Sequence, residues 1–257
     1  MKHFTNFTDY TRIEDLKRLK FIQDAVLNLN RNDLTIIEIG CGNGNISYQL
    51  ARAGFKVRGV DISPEAIAKA TKRYQAPGLT YEVVNAEQLA KAEKYDVVVM
   101  SEVLEHLTDP TSVLTAVSAM MKSDSIAVIT VPNGFGPREL FVTKPVQAIY
   151  KGKGLIPKLL YNFKNLLGYK GVTIQSANHD LTHIQFFSFK ALNHLAHACG
   201  LKIVKSGAAN FLDGVFPFSF ITRRSLSMQR FDCWMADQVP LCWASGFNTV
   251  MVKVEGK

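Results

Sequence analysis

The first half of the chain alternates between two hydrophobic periods. Residues 12–30 carry apolar side chains three or four positions apart, which predicts an amphipathic helix: Ile13, Leu16, Leu19, Ile22, Val26 and Leu29. Short segments rich in apolar residues follow at 34–39, 55–60, 79–84, 95–100 and 126–131 and predict strands, with helical patterns between them. Buried strands that alternate with helices predict right-handed βαβ units in a parallel sheet with helices on both faces.

This alternation stops after Pro132. Residues 134–182 are rich in Gly, Pro, Lys and aromatic residues, and they carry seven Lys or Arg against two Asp or Glu. A helix is predicted at 188–199, a strand at 201–205 and a last strand at 247–254. We therefore predict one domain over 1–257, with a basic aromatic insert or lid at 134–182 and a second irregular insert at 210–244.

A glycine-rich turn follows the first predicted strand, in the sequence Glu38-Ile39-Gly40-Cys41-Gly42-Asn43-Gly44. Glycine allows a tight turn and a close approach of a ligand to the backbone, at the edge where open α/β sheets bind ligands. Asp61 ends the second strand, where a carboxylate can accept both hydroxyls of a ribose. A dinucleotide fingerprint has a third glycine where this chain has Asn45. The structural alternatives are a plain turn and a helix-capping Asp61.

The segment 34–131 resembles the class I methyltransferases that use S-adenosylmethionine (SAM). The resemblance is carried by EIGCGNG, VDISPEAI, VVNAEQL and YDVVVMSEVLEHL, in that order along the chain. It implies a Rossmann-like α/β fold: a seven-stranded, mostly parallel sheet with an antiparallel last strand and an insert after strand five. It also implies SAM as the cofactor.

The resemblance further implies which residues contact SAM. Glu38 and Gly40 would face its amino-acid part, and Gly42 would let the backbone approach. Asp61 would hold the ribose, with Ile62 against the adenine. Asn85 would meet the adenine amine; many relatives have Asp there, but an amide oxygen can also accept this hydrogen bond. The complete expected set is Glu38, Gly40, Cys41, Gly42, Asp61, Ile62, Asn85, Ala86 and Ser101.

The fourth predicted strand runs into Glu102, Glu105 and His106. In a helix these residues stand at i, i+3 and i+4 and share one face. Two carboxylates and an imidazole could bind a divalent cation such as Mg²⁺, or His106 could act as a general base. The alternative is that the carboxylates favour a helix start and His106 is a surface residue.

The pattern E-x-x-E-H is similar to two subgroups of methyltransferases. These are the O-methyltransferases of ubiquinone biosynthesis and the small-RNA 3′-terminal 2′-O-methyltransferases. The resemblance implies a metal on such residues together with a later histidine. That residue would be His183, with His179 as a less well-spaced rival, so the predicted metal ligands are Glu102, Glu105, His106 and His183.

The net charge of +8 favours an anionic partner. Within 134–182, lysines alternate with apolar residues, which fits a lid, a helix on an anionic membrane surface or, with less support, a nucleic-acid surface. The four cysteines are scattered and no apolar run is long enough to span a bilayer, so we expect a cytoplasmic protein or one peripheral to a membrane.

The predicted function is O-methylation of a small lipid-like, phenolic or glycan hydroxyl. The alternative in the same class is an RNA ribose 2′-O-methyltransferase. The alternatives of another class are a non-catalytic SAM- or nucleotide-binding module and an NAD-dependent oxidoreductase. The intact E-x-x-E-H favours an enzyme over a binding module.

Overall fold

All seven described strands form one sheet in the order β3-β2-β1-β4-β5-β7-β6. The computed structural model describes residues 10–86, 89, 93–137, 140–141, 184–213, 215, 218–222 and 224–254. The strands are β1 (Thr35–Ile39), β2 (Lys56–Asp61), β3 (Leu79–Val83), β4 (Tyr95–Ser101), β5 (Met121–Pro132), β6 (Leu201–Ala208) and β7 (Gly246–Lys253). Only β7 runs antiparallel to its neighbours, β5 and β6. The predicted fold class is confirmed.

Helices cover both faces of this sheet. They are α1 (Ile13–Leu27), α2 (Asn45–Arg52), α3 (Pro64–Arg73), α4 (Pro110–Met120), α5 (Phe189–Ala198), α6 (Phe218–Thr222) and α7 (Leu226–Gln238). One core cluster joins the sheet to α1 and α2, and the other joins it to α4 and α5. The middle of β4 is continuously apolar because both of its sides are buried: Val98 and Met100 lie in one cluster, while Val97 and Val99 lie in the other.

Several helix starts have the local chemistry that the sequence indicates. The Ser63 hydroxyl accepts the Ala66 amide at 3.2 Å before α3, and Asp109 accepts the Ser112 amide at 3.0 Å before α4. Proline follows each cap, where its missing N–H costs nothing. The strand that follows α4 is longer than predicted, because it begins at Met121 rather than at 126.

The sequence predicted an irregular insert at 210–244. This prediction is wrong, because the segment contains α6 and α7. The apolar residues of α7 do not mark its buried side, because the buried positions include Gln229 and Asp232. A helix with polar residues on its inner face does not show the pattern by which amphipathic helices are recognised.

Most of the predicted insert lies outside the described residues. Residues 142–183 fall there, and they include His179 and His183. The predictions of a lid or a membrane contact at 134–182 therefore stay predictions. In the described part of the chain, no helix is long and apolar enough to cross a membrane.

The order of the sheet reverses between β1 and β4, which are adjacent. The chain leaves β1 and β4 toward helices on opposite faces, so a crevice opens at their carboxyl ends. Gly40 follows β1 at this edge, and Glu102 follows β4. The topology therefore brings the predicted cofactor loop and the predicted acceptor residues together.

Candidate active site

The turn after β1 requires glycine at three positions. Gly40, Gly42 and Gly44 have φ angles of +71°, +51° and +79°, in the left-handed region that L-residues with a side chain disfavour. The amides of Gly40 and Cys41 donate to the Val60 carbonyl at 2.8 and 3.0 Å. These bonds hold the loop against the end of β2.

Two glycines of this loop have different surroundings. A Cβ atom at Gly40 would lie 2.4 Å from Cγ2 of Val103, whereas one at Gly42 would meet nothing within 4 Å. Gly40 is therefore needed for packing inside the protein. Gly42 faces open space, as expected of a backbone that a ligand approaches closely.

The Asp61 carboxylate joins the end of β2 to the glycine loop. Its Oδ2 atom accepts the Gly42 amide at 2.8 Å, and Oδ1 accepts the Ser63 amide at 2.9 Å. Asp61 is not the cap of α3, because Ser63 has that role. Each carboxylate oxygen has a second lone pair for a ribose hydroxyl. Ile62, with 66% of its surface exposed, stands beside Asp61 as an apolar platform.

Glu38 is buried in β1, and its Oε2 atom accepts the hydroxyl of Ser47 in α2. Burial raises the pKa of Glu38 to about 8, although the Ser47 hydrogen bond acts in the opposite direction. Cys41 is also buried, and desolvation raises the pKa of its thiol. A thiol of this kind is a packing residue rather than a nucleophile.

Asn85 and Ala86 follow β3 at the same edge of the sheet. Val83, the last residue of β3, is paired with Asp61, and the Val84 amide donates to the Asp61 carbonyl at 2.9 Å. Both residues are half-buried. The predicted adenine contacts therefore lie one strand away from the predicted ribose carboxylate.

Glu102 leaves β4 in a left-handed conformation, with φ +58°. Its Oε1 atom accepts the Thr130 hydroxyl at 3.0 Å and lies 3.3 Å from Nη1 of Arg18. Thr130 also contacts the hydroxyl of Ser101 at 3.1 Å. Glu102 is thus fixed by a neighbouring strand and by α1.

The prediction that Glu102, Glu105 and His106 share one helix face is wrong. The left-handed Glu102 stands outside the single 3₁₀ turn, which covers Leu104–His106. Glu105 is turned inward with 1% of its surface exposed, and its carbonyl accepts the Ile184 amide at 2.8 Å. The Glu105 carboxylate lies 3.7 Å from Nε2 of His106. Glu105 and His106 therefore form a pair separate from Glu102.

A family model described as a methyltransferase domain matches residues 12–206. This range covers more than half of the chain and includes the glycine loop, Asp61 and the residues after β4. The chain belongs to the methyltransferase domain family. The predicted recognition as a class I methyltransferase is thereby confirmed.

Curated relatives of this chain include two named ubiquinone biosynthesis O-methyltransferase. The protein of Actinobacillus pleuropneumoniae serotype 7 is 28% identical over 158 residues, which cover 58% of this chain and 65% of the relative. That of Cereibacter sphaeroides ATCC 17029 is 37% identical over 117 residues, covering 44% of this chain and 47% of the relative. The chain thus spans between about half and two thirds of the length of these relatives.

Solved structures show the same fold at low sequence identity. A SAM-dependent methyltransferase from Clostridium acetobutylicum has a TM-score of 0.58 at 12% identity, covering 96% of this chain and 94% of the other. Magnesium protoporphyrin IX methyltransferase from Synechocystis, solved with bound SAH, has a TM-score of 0.55 at 16% identity, covering 94% and 84%. These similarities establish the architecture of the chain.

Only three of the four predicted metal ligands lie among the described residues. They are Glu102, Glu105 and His106, and in the described part of the chain no group of three or more His, Cys, Asp or Glu is placed to hold a metal ion. The fourth, His183, lies outside it. The metal site stays a prediction.

The sequence analysis missed Arg18, which is 6% exposed and lies 2.5 Å from Asp15 and 3.3 Å from Glu102. A signal was available, because Arg18 stands four residues before the buried Ile22, on the face of α1 that packs inward. An arginine on the buried face of an amphipathic helix needs an acidic partner. Nothing in the sequence indicated that Glu102 is this partner.

Proposed function

We propose that this protein is a SAM-dependent O-methyltransferase whose acceptor is the hydroxyl of a small lipid-like, phenolic or glycan molecule. One observation carries the proposal. The cofactor loop after β1 and the acidic residues after β4 leave adjacent parallel strands at the same edge of the sheet. The two relatives named ubiquinone biosynthesis O-methyltransferase support a hydroxyl acceptor.

The residues of the loop fit SAM. The open space at Gly42 is a cradle that a Cβ atom would fill, and the two-oxygen carboxylate of Asp61 at the adjacent strand end suits a ribose diol. The buried Glu38 suits a cationic amino group. When bound, SAM supplies the methyl group. The protein contributes position, orientation and exclusion of water.

The pair of Glu105 and His106 is suited to remove the acceptor proton. His106 is partly exposed, and the buried Glu105 carboxylate lies 3.7 Å from its Nε2 atom. A nearby carboxylate stabilises the imidazolium that forms when His106 takes the proton. Glu102, held by Arg18 and Thr130, borders the same edge and is a candidate to orient the hydroxyl.

The alternative route is a divalent cation on Glu102, Glu105, His106 and His183. The described geometry gives this route less support, because Arg18 already neutralises Glu102 and the Glu105 carboxylate is turned inward. The two routes differ in their response to a chelator.

The test is transfer of a radiolabelled methyl group from SAM to lipid, phenol, glycan and RNA extracts. We expect labelled product in the lipid, phenol or glycan fraction, and a loss of about 10²–10⁴-fold in rate for His106→Gln. The control is His194→Gln, on the exposed side of α5, which should leave the rate unchanged. Labelled RNA alone, or full activity of His106→Gln, would contradict the proposal.

A chelator distinguishes the two routes in the same assay. Proton removal by His106 predicts no effect of the chelator, with SAM affinity unchanged in His106→Gln. The metal route predicts inactivation by the chelator and recovery when Mg²⁺ is restored.

A further inference from the structure

Helices α6 and α7 expose their largest apolar side chains to solvent. Between 48% and 54% of each residue's surface is exposed at Phe218, Phe220, Ile221, Leu226, Phe231 and Trp234. We call these six residues the α6–α7 surface. The rings of Phe231 and Trp234 lie one helical turn apart with centroids 5.8 Å from each other. Six large exposed apolar residues on two consecutive helices exceed the single scattered ones that are normal on a soluble surface, and such a concentration marks an interaction site.

The inner side of the same helices carries polar residues, with only the small Cys233 and Ala236 of α7 as buried apolar ones. Ser219 and Thr222 of α6 are 1% and 4% exposed, and Gln229 and Asp232 of α7 are both 7% exposed. A helix on the surface of a soluble protein normally turns its apolar side inward. Here the large apolar side chains of two consecutive helices point outward instead, while four polar side chains are buried.

Hydrogen bonds fix this reversed orientation. The Asp232 carboxylate accepts the backbone amides of Phe211, Leu212 and Asp213 at 3.0, 2.7 and 3.1 Å. Gln229 accepts the Ile13 amide and donates to the Thr222 carbonyl, both at 3.0 Å. Rotating α7 to bury its aromatic side would leave these groups without their partners, at a cost in stability. The aromatic side therefore stays outward.

The charges beside the α6–α7 surface are basic. The Arg224 guanidinium lies 4.2 Å from the centroid of the Phe220 ring, and Arg230 is exposed in α7. Neither arginine has a carboxylate within 4.0 Å among the residues that the structure describes. The acidic Asp237 at the end of α7 is neutralised by Lys17 at 2.7 Å. Exposed aromatic residues beside arginines without a carboxylate partner in the described part of the chain suit the interface of an anionic bilayer.

A second copy of the chain fits this surface less well. In a two-fold symmetric contact the same patch forms both sides of the interface, so Arg224 and Arg230 of both copies would share one interface. Like charges facing each other at an interface are unfavourable. An anionic lipid surface instead pairs these charges and accommodates the rings.

We propose that the α6–α7 surface docks the protein on an anionic lipid bilayer. The α6–α7 surface belongs to a different part of the sequence from 134–182, for which a membrane contact is one of the predicted alternatives. The proposal does not rest on the identity of the methyl acceptor, because docking is measured without SAM or acceptor.

The test is co-sedimentation of the full chain with vesicles of phosphatidylcholine, with and without phosphatidylglycerol. We expect binding only to the vesicles that contain phosphatidylglycerol. Arg224→Gln with Arg230→Gln should weaken partitioning about tenfold to thirtyfold. The matched control, Lys56→Gln with Lys72→Gln, removes two exposed charges at the opposite end of the sheet and should bind more tightly than the arginine variant.

Tryptophan fluorescence locates the contact. The chain has two tryptophans, so Trp243→Phe leaves Trp234 as the single reporter. We expect its emission to shift to the blue on adding anionic vesicles and not on adding neutral ones. The variant Phe231→Ser with Trp234→Ser should lose vesicle binding while its circular dichroism stays unchanged, because both residues are exposed.

Three outcomes would overturn the proposal. Unchanged vesicle binding by the Phe231→Ser, Trp234→Ser variant would place the contact elsewhere, including 142–183. No binding of the full chain to anionic vesicles would exclude docking. A dimer in sedimentation that this variant dissociates would assign the surface to a second copy. None of these results depends on methyl transfer, which is tested separately.

Discussion

Arg18 of α1 reaches across the sheet edge to Glu102, the residue that follows β4, with 3.3 Å between its Nη1 atom and the carboxylate Oε1. The same guanidinium is 2.5 Å from Asp15. A helix that precedes the first strand thus fixes a side chain on the proposed acceptor side. Arg18 is a positioning residue in this arrangement.

Replacing Arg18 should cost considerable stability. Arg18→Met leaves the carboxylates of Asp15 and Glu102 without their shared cation, and we expect a loss of about 2–4 kcal/mol in the free energy of unfolding. Urea denaturation measures this change. Lys20→Met is the control, because Lys20 pairs with Asp24 on the exposed side of the same helix, and it should change stability by about 0.5 kcal/mol or less. Equal losses in both variants would contradict the role of Arg18.

Because the backbone at Glu102 is left-handed, two substitutions that both remove its carboxylate should differ in stability. At φ +58°, alanine keeps a Cβ atom that disfavours this conformation, and glycine does not. We therefore expect Glu102→Gly to be more stable than Glu102→Ala by about 1 kcal/mol. Denaturation of the two variants under identical conditions measures the difference. If the alanine variant is the more stable one, the strain argument fails.

The sheet and the cofactor loop could be predicted from sequence because short-range patterns determine them. Apolar runs mark strands such as β4, which is buried on both sides, and the glycines after β1 occupy positions that need positive φ angles. Asp61 is recognisable because it ends the next strand. Each of these signals is local in the chain.

The acceptor side could not be predicted in the same way. The spacing of Glu102, Glu105 and His106 fits a helix, but one left-handed residue is enough to separate their side chains. The contact between Arg18 and Glu102 depends on tertiary packing. The reversed polarity of α7 depends on buried hydrogen bonds to Asp232 and Gln229, and no periodicity records these bonds.

The two glycines at the tip of the loop should respond differently to alanine. Gly40→Ala places a Cβ atom 2.4 Å from Val103, so we expect a loss of about 2 kcal/mol or more in unfolding free energy. Gly42→Ala has open space and should lose only about 1 kcal/mol from its positive φ angle. Its affinity for SAM should nevertheless fall at least about tenfold, since the new Cβ atom occupies the approach of the ligand. Denaturation and titration calorimetry measure both properties. Unchanged SAM affinity in Gly42→Ala would place the cofactor elsewhere.

The buried Glu38 predicts a pH dependence of stability. Its pKa is about 8 in the folded protein against an ordinary value of 4.5, so the folded state keeps a proton that the unfolded chain releases above pH 4.5. Stability linked to Glu38 is therefore fully present below pH 4.5 and is lost as pH rises toward and through 8. Glu38→Gln cannot titrate, so the unfolding free energy of the wild type should fall relative to this variant between pH 5 and 8. If the unfolding free energies of the wild type and the variant change in parallel with pH, Glu38 is ionised in the folded protein.

The same proton links cofactor binding to pH. If the amino group of SAM lies beside Glu38, as the family resemblance implies, its positive charge favours the ionised carboxylate and lowers the pKa of Glu38. At pH 7 the free protein holds this proton, so binding should release close to one proton per site. Calorimetry in phosphate and in Tris buffer detects the release, because the two buffers have different heats of ionisation and the apparent binding enthalpies will differ. Glu38→Gln should abolish this difference while Gly42 and Asp61 still bind the adenosine part. If the binding enthalpies of the wild type are identical in both buffers, the amino group of SAM does not lie beside Glu38.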